Sequence, residues 1–343
     1  MSSKVERYTS KTGARIYRIP LDLFPILSGF AHLVCIEDVV ALVDVGSGFL
    51  NANAELEAGL ETITSAFGER ANWEDLTHIL ITHGHIDHFG GLHFVRERTR
   101  ARIGIHELDL RVLAHYEERL VIVERRLRKY LHEAGVPGEE IEGIMRLYML
   151  NKSLFSSLVP DFTFEATGMK VGPLQLIHVP GHCPGHVVIK VDDVLLTGDH
   201  ILERTSPHQA PECLSLHTGL THYLDSLEKL SGIADQIHLT LGGHEGPIVD
   251  LADRIAAIEQ VHEDRLADVF KLLLQPMTIA ELADSLFPDV EGYNKLLALE
   301  ETGAHVEYLS QRGYIEISNM DDLEANQSIP IQYHHADTVM HLT

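Results

Sequence analysis

Between an apolar run ending at Ile81 and the pair Gly90-Gly91, residues Thr82 to His88 read T-H-G-H-I-D-H. Such an H-x-H-x-D-H string crowds imidazole and carboxylate donors into one short segment, which constrains the fold that must accommodate it. Three later segments each end an apolar stretch with a further donor: His182 in HVPGHCPGH, Asp199 in VLLTGDH and His244 in LTLGGHEG. Four strand ends carrying His or Asp point to convergence. Imidazole mixed with carboxylate suits zinc, iron or manganese rather than calcium or magnesium, and the flanking glycines let loop backbone pass close to a metal. A single histidine of this kind is more often a hydrogen-bonded structural residue than a ligand. The joint pattern carries the metal-site reading.

The surrounding sequence has the rhythm of an α/β fold. β-rich runs at 14–19, 31–36 and 39–45 end in D-V-G-S-G, a strand leading into a glycine turn, and a helix-period stretch covers 54–67. Residues 77–81 read as a buried strand that delivers the histidine motif to a strand-to-helix loop before a helix at 90–98, the place where open α/β sheets put their sites. Strands resume at 174–179, 187–191, 194–197 and 236–240, with a helix at 220–230. Between the two β-rich halves, 107–158 is charged and helix-periodic, broken at Gly135 to Gly138, and reads as an inserted helical hairpin. The hairpin is either an amphipathic pair packed on the body or a lid, with Tyr148 and Phe155 as candidates to line a substrate pocket.

These signals divide the chain into a catalytic domain at 1–250, a helical C-terminal domain at 251–320 and a tail at 321–343. After a long helix at 251–274, the order helix (277–287), helix (293–312), strand (313–317) resembles a winged-helix module. The tail is expected to be loosely held.

Charge and cysteine usage narrow the function. The 343 residues carry 51 acids against 27 bases, a formal net charge of -24, which repels polyanions and disfavours nucleic-acid binding. Cys35, Cys183 and Cys213 are too scattered for a disulfide framework. No apolar run approaches the roughly 18 residues of a membrane span. The polar opening MSSKVERYTSKTGAR lacks a signal-type apolar stretch, so a cytoplasmic protein without membrane association is expected.

Taken together, T-H-G-H-I-D-H, G-H-C-P-G-H, T-G-D-H and G-G-H-E resemble the successive motifs of the metallo-β-lactamase fold superfamily, in its glyoxalase II-like, two-metal branch, over about 15–248. The resemblance implies an αββα sandwich: two facing mixed sheets, helices outside and a dinuclear site at one edge. Carried over, it implies that His83, His85 and His182 hold a first divalent metal, that Asp87, His88 and His244 hold a second, and that Asp199 bridges them. Asp44 matches a position that supports the site from behind. Zinc is the default metal, with iron or manganese as alternatives.

Such a centre lowers the pKa of a shared water toward neutrality and polarises a scissile carbonyl or phosphoryl oxygen, so no nucleophilic Ser or Cys is needed. The leading expectation is hydrolysis of a small thioester, lactone or ester by a metal-bridging hydroxide, with Asp87 orienting or deprotonating the water. Single-strand endoribonuclease action and promiscuous β-lactamase action are the alternatives. His208, His217 and His222 are further candidates for the substrate pocket beyond the Asp199 loop or for the surface, His186 and His200 could orient neighbouring ligands, and a homodimer is plausible without a motif behind it.

Overall fold

The computed structural model describes residues 4–152, 155–326 and 328–336. Two compact units divide the chain. The first comprises 1–117, 155–207 and 226–255, and the second 118–154, 208–225 and 256–343.

The first unit is built from two mixed sheets. One orders seven strands as β1 (Glu6–Thr9), β2 (Arg15–Phe24), β3 (Leu27–Ile36), β4 (Val39–Val43), β5 (His78–Leu80), β6 (Arg102–Ile105) and β7 (Phe162–Thr163). Its first four strands form an antiparallel meander and its last three join in parallel. The other sheet follows the order β13 (Pro247–Ile248), β12 (Leu239–Gly242), β11 (Val194–Gly198), β10 (Val187–Val191), β9 (Leu174–His178) and β8 (Lys170–Val171), with only β11 and β12 parallel.

Apolar residues from both sheets meet in one continuous core: Ile16, Val34, Ala41, Val43 and Leu80 on one side, and Leu174, Leu176, Val187, Ile189, Val194, Leu196 and Leu241 on the other. That is the αββα metallo-β-lactamase arrangement expected from the sequence. The strands bearing the motifs, VVALV in β4 and VLLTG in β11, are buried along their whole length, because a central strand of a covered sheet has no solvent face. Covering both faces in this way leaves the polar donors a single outlet, the loops beyond the strand ends.

The strands expected from hydrophobic patterning are present, and the structure differs from that reading at several points. The chain at 234–236 is a short 3-10 turn and the strand after it is Leu239–Gly242, because β12 pairs in register with β11, Val194 opposite Leu239. The sequence reading passed over β1, β6, β7, β8 and β13, strands of two to four residues that are too short to give a period. Asp87 and His88 sit on a one-turn helix, Ile86–Phe89, ahead of a second short helix at Leu92–Arg96.

The second unit gathers the hairpin helices Tyr116–Glu133 and Gly138–Lys152 from residue 118 onward, a loop at 208–219, and the C-terminal helices Ile279–Leu286 and Tyr293–Gln311. Thr278 opens the first of these C-terminal helices with a reciprocal cap to Glu281. The hairpin therefore belongs with the C-terminal module rather than with the sandwich into which it is inserted. Tyr130 shows why: its hydroxyl donates to Leu299 O at 2.5 Å, and Gly303 leaves the space its ring needs.

Described parts of the tail carry regular structure. Residues Met320–Ala325 are helical, and β15 (Tyr333–His335) pairs antiparallel with β14 (Ile315–Ile317). Among the described residues, no helix is long and apolar enough to cross a membrane.

Replacing Leu241, fully buried between the sheets, by Ala removes side-chain contacts that the rigid sandwich cannot collapse to restore. The expected loss is about 2–5 kcal/mol of stability in urea unfolding; a loss below about 1 kcal/mol would place Leu241 outside the core.

Candidate metal centre

The motif residues converge within the first unit. Ligating atoms of His83, His85, His182 and Asp199 lie within 4.8 Å of one another, as do those of Asp87, His88, Asp199 and His244. Asp199 belongs to both groups. His182 Nε2 is 3.1 Å from His85 Nδ1. Asp199 Oδ2 is 3.3 Å from both His88 Nε2 and His244 Nε2, and Asp87 Oδ2 is 3.4 Å from the latter. His83, His88, His182, Asp199 and His244 are buried, whereas His85 and Asp87 reach partway to solvent.

Hydrogen bonds behind the cluster set which ring nitrogen faces it. Asp44, at the end of β4 with a left-handed φ of 59°, accepts the Thr82 N–H and hydroxyl at 2.8 Å each and lies 2.8 Å from His88 Nδ1. Thr82 Oγ1 lies 3.0 Å from His83 Nδ1, and His244 Nδ1 lies 2.7 Å from the Ser28 carbonyl. In each imidazole the Nδ1 is occupied from behind and Nε2 is turned toward the cluster, as an orienting partner does for a metal-binding histidine. Gly243 lets the backbone pass: a Cβ there would stand 2.6 Å from His88 Cε1 and 2.7 Å from Asp199 Oδ1.

This geometry coincides with the comparisons to known proteins. The pattern of the metallo-beta-lactamase superfamily matches residues 25–236. The chain belongs to that superfamily. It is a metallo-hydrolase of the metallo-beta-lactamase fold, and the fold family implies divalent metal ions.

The chain is similar to the "Probable metallo-hydrolase YqjP" of Bacillus subtilis (strain 168), 25% identical over 287 residues that cover 79% of this chain and 85% of that protein. A crystal structure of a metallo-beta-lactamase family protein from Thermus thermophilus superposes with a TM-score of 0.71 at 26% identity, covering 93% of this chain and 98% of that one. A hydroxyacylglutathione hydrolase of Shewanella baltica (strain OS195) is 31% identical over 129 residues, 38% of this chain and 35% of that protein.

The donors themselves fit cations. The buried His83 Nε2 and Asp199 Oδ1 have no hydrogen-bond partner among the described residues, each a cost of about 1–3 kcal/mol that a bound ion removes. Charge imbalance points the same way. Burial works against a charged imidazolium, yet the carboxylates of Asp199 and Asp87, joined at His88 by Asp44, outweigh it. His88 is held well above its ordinary pKa and His244 is pushed up to about 11. Burial is likewise outweighed at Asp199 and Asp87, where His244 and His88 hold the carboxyls below the usual range. Divalent ions would meet the same negative charge.

Of the remaining histidines, His186 stacks on His83, with centroids 4.5 Å apart, and its Nε2 accepts the Asp199 N–H at 3.2 Å; His200 is buried beside it. His186 thus holds the Asp199 backbone, and His200 packs against His186. Phe155 does not line a pocket: it is buried in the first unit against Phe89, His93 and Tyr116, at centroid distances of 4.8, 5.0 and 5.1 Å. An isolated aromatic near a helix end reads equally as core or pocket in sequence, and here the core claims it. Tyr148 is buried in the second unit, and in the same unit His208 Nε2 lies 3.2 Å from Glu300.

Sequence reasoning overlooked Asp109. Its buried carboxylate accepts the Gly84 N–H at 2.9 Å and the Gly185 N–H at 3.1 Å, fastening the loops of His83 and His182 to one side chain. Nothing in the helix-periodic stretch around Asp109 marks it.

Asp44→Asn retains the shape but removes the charge that sets His88 Nδ1. Metal affinity measured by chelator competition is expected to fall about 10–100-fold. Unchanged affinity would mean that His88 is not held through Asp44.

Proposed function

We propose that the chain hydrolyses a small carbonyl ester, with an acyl thioester as the leading substrate and lactones or carboxylic esters behind it, at a dinuclear centre of zinc. The observation that carries the reading is the pair of donor clusters sharing Asp199. His83, His85, His182 and Asp199 would hold one ion, and Asp87, His88, His244 and Asp199 the other. When bound, two such ions polarise the substrate carbonyl and make a water nucleophilic at neutral pH.

The protein's part is positioning and proton transfer. Asp87, partly exposed and 3.4 Å from His244 Nε2, is placed to orient the attacking water and take its proton at Oδ2. His88, His83 and His244 are fixed from behind by Asp44, Thr82 and the Ser28 carbonyl, so their Nε2 atoms face the reaction without rearranging. A thioester asks least of this arrangement, because a thiol of pKa about 8.5 departs as thiolate without a general acid. The local likeness to hydroxyacylglutathione hydrolases supports the same choice.

Charge argues against the nuclease alternative. Between Asp289 and Arg312 the bases are Lys295 and Arg312 against five acids. Lys295 is engaged by Glu140 and Asp284 at 3.0 Å each, and Arg312 lies over the Tyr308 ring at 3.5 Å. Neither is free to meet a phosphate.

Thiol release from short acyl thioesters by the purified protein is expected to stop on chelation and return with zinc. Asp199→Ala should lower kcat/KM roughly a thousandfold, about 4 kcal/mol. Turnover that survives chelation, or that is unaltered in Asp199→Ala, would refute the mechanism.

A further inference from the structure

A second group of donors, in the other unit, takes no part in this chemistry. Ligating atoms of Glu212, His217 and His222 lie within 4.8 Å of one another. His222 Nε2 is 3.2 Å from Glu212 Oε1, and the same oxygen accepts the His217 backbone N–H at 3.0 Å. The two imidazole rings stand 5.7 Å apart, inclined by 59°. Glu212 and His217 come from the loop at 208–219, and His222 from the first turn of the helix Leu220–Ser231.

The loop holds these donors in place through bonds of its own. Leu214 N–H donates to Pro211 O at 3.0 Å, the Thr218 hydroxyl to Ser215 O at 2.6 Å, and the Glu212 N–H to Glu307 Oε2 at 2.7 Å. A plain Glu–His pair would need one imidazole. Here a second is brought to the same carboxylate from a residue with a left-handed φ of 66°, and its ring nitrogens make no hydrogen bond among the described residues. The side chains of Glu212 and His222 are each about one-third exposed, at 30% and 32%, so an ion can enter from solvent and retain a water.

We propose that Glu212, His217 and His222 form a separate zinc site, three protein donors with the fourth tetrahedral position open. Two imidazoles and one carboxylate are the donor set of a zinc ion, whereas calcium and magnesium call for oxygen alone. An ion there ties the 212–219 loop to the start of the following helix, and so links zinc occupancy to the stability of the second unit. The site stands independently of the hydrolytic centre, with which it shares no residue.

The test is zinc content per chain of the untagged full-length protein after equilibration with zinc and removal of unbound metal. Wild type is compared with His217→Ala/His222→Ala, with Glu212→Gln and with Asp199→Ala. The double variant is expected to hold one zinc fewer than wild type, Glu212→Gln to bind that zinc at least about tenfold more weakly, since a charged donor is lost, and Asp199→Ala to retain it. Zinc should also raise the thermal midpoint of Asp199→Ala, and not when the two histidine substitutions are added. Equal zinc content in wild type and double variant overturns this site, whatever Asp199→Ala does to the other one. Zinc lost only in the double variant supports it while counting against the hydrolytic centre.

Discussion

The carboxylate of Asp44 is where the sandwich and the metal centre become one structure. It sits where β4 leaves the core, bonds both polar groups of Thr82 and fixes Nδ1 of His88. Burying a carboxylate is costly unless it is fully hydrogen-bonded, and the bonds by which Asp44 orients the histidine motif are the ones that offset this cost. Its left-handed backbone, unfavourable by about 1–2 kcal/mol for an L-residue, turns the chain from the strand into the loop that borders the site. The site's rigidity thus rests on the first sheet's register, because Asp44 N–H donates to Leu80 O and ties the two strand ends together.

The second sheet completes the cluster from the opposite side. His182 follows β9, Asp199 follows β11 and His244 follows β12, so the parallel pairing of β11 with β12 sets the last two side by side. Asp109 then clamps the loops of the two sheets through Gly84 and Gly185, and Phe30 N–H holds the Gly243 carbonyl at 2.8 Å. Asp87 and Asp199 repel one another, and together they hold the pKa values of His88 and His244 up. Groups shifted this strongly by one another are characteristic of a functional site.

What was legible in the sequence follows from the range over which each feature is encoded. Buried strands such as VVALV and VLLTG announce themselves, and the donors following them are adjacent in sequence, so their convergence could be read directly, while the sandwich and the division into two clusters came from the resemblance to the metallo-β-lactamase superfamily. Asp44 was found through the same resemblance, at a family position that ends a strand and opens a glycine turn. Asp109 was not, because its partners are backbone N–H groups 25 and 76 residues away and it lies among ordinary helical charges. Nor was the second unit. Its three segments, 118–154, 208–225 and 256–343, are assembled by packing alone, and no local pattern records that Tyr130 meets Leu299. The zinc donors around His217 illustrate the same limit, since only the turn at 212–219 brings them together.

The central claim is that the chain's seven motif residues hold two cations sharing Asp199. Anomalous diffraction from crystals of the zinc-loaded protein, recorded on both sides of the zinc edge, tests it most directly. The account predicts two peaks within coordination distance of Asp199, one beside His83, His85 and His182 and the other beside Asp87, His88 and His244. Anomalous density absent from both positions in zinc-loaded protein would contradict it.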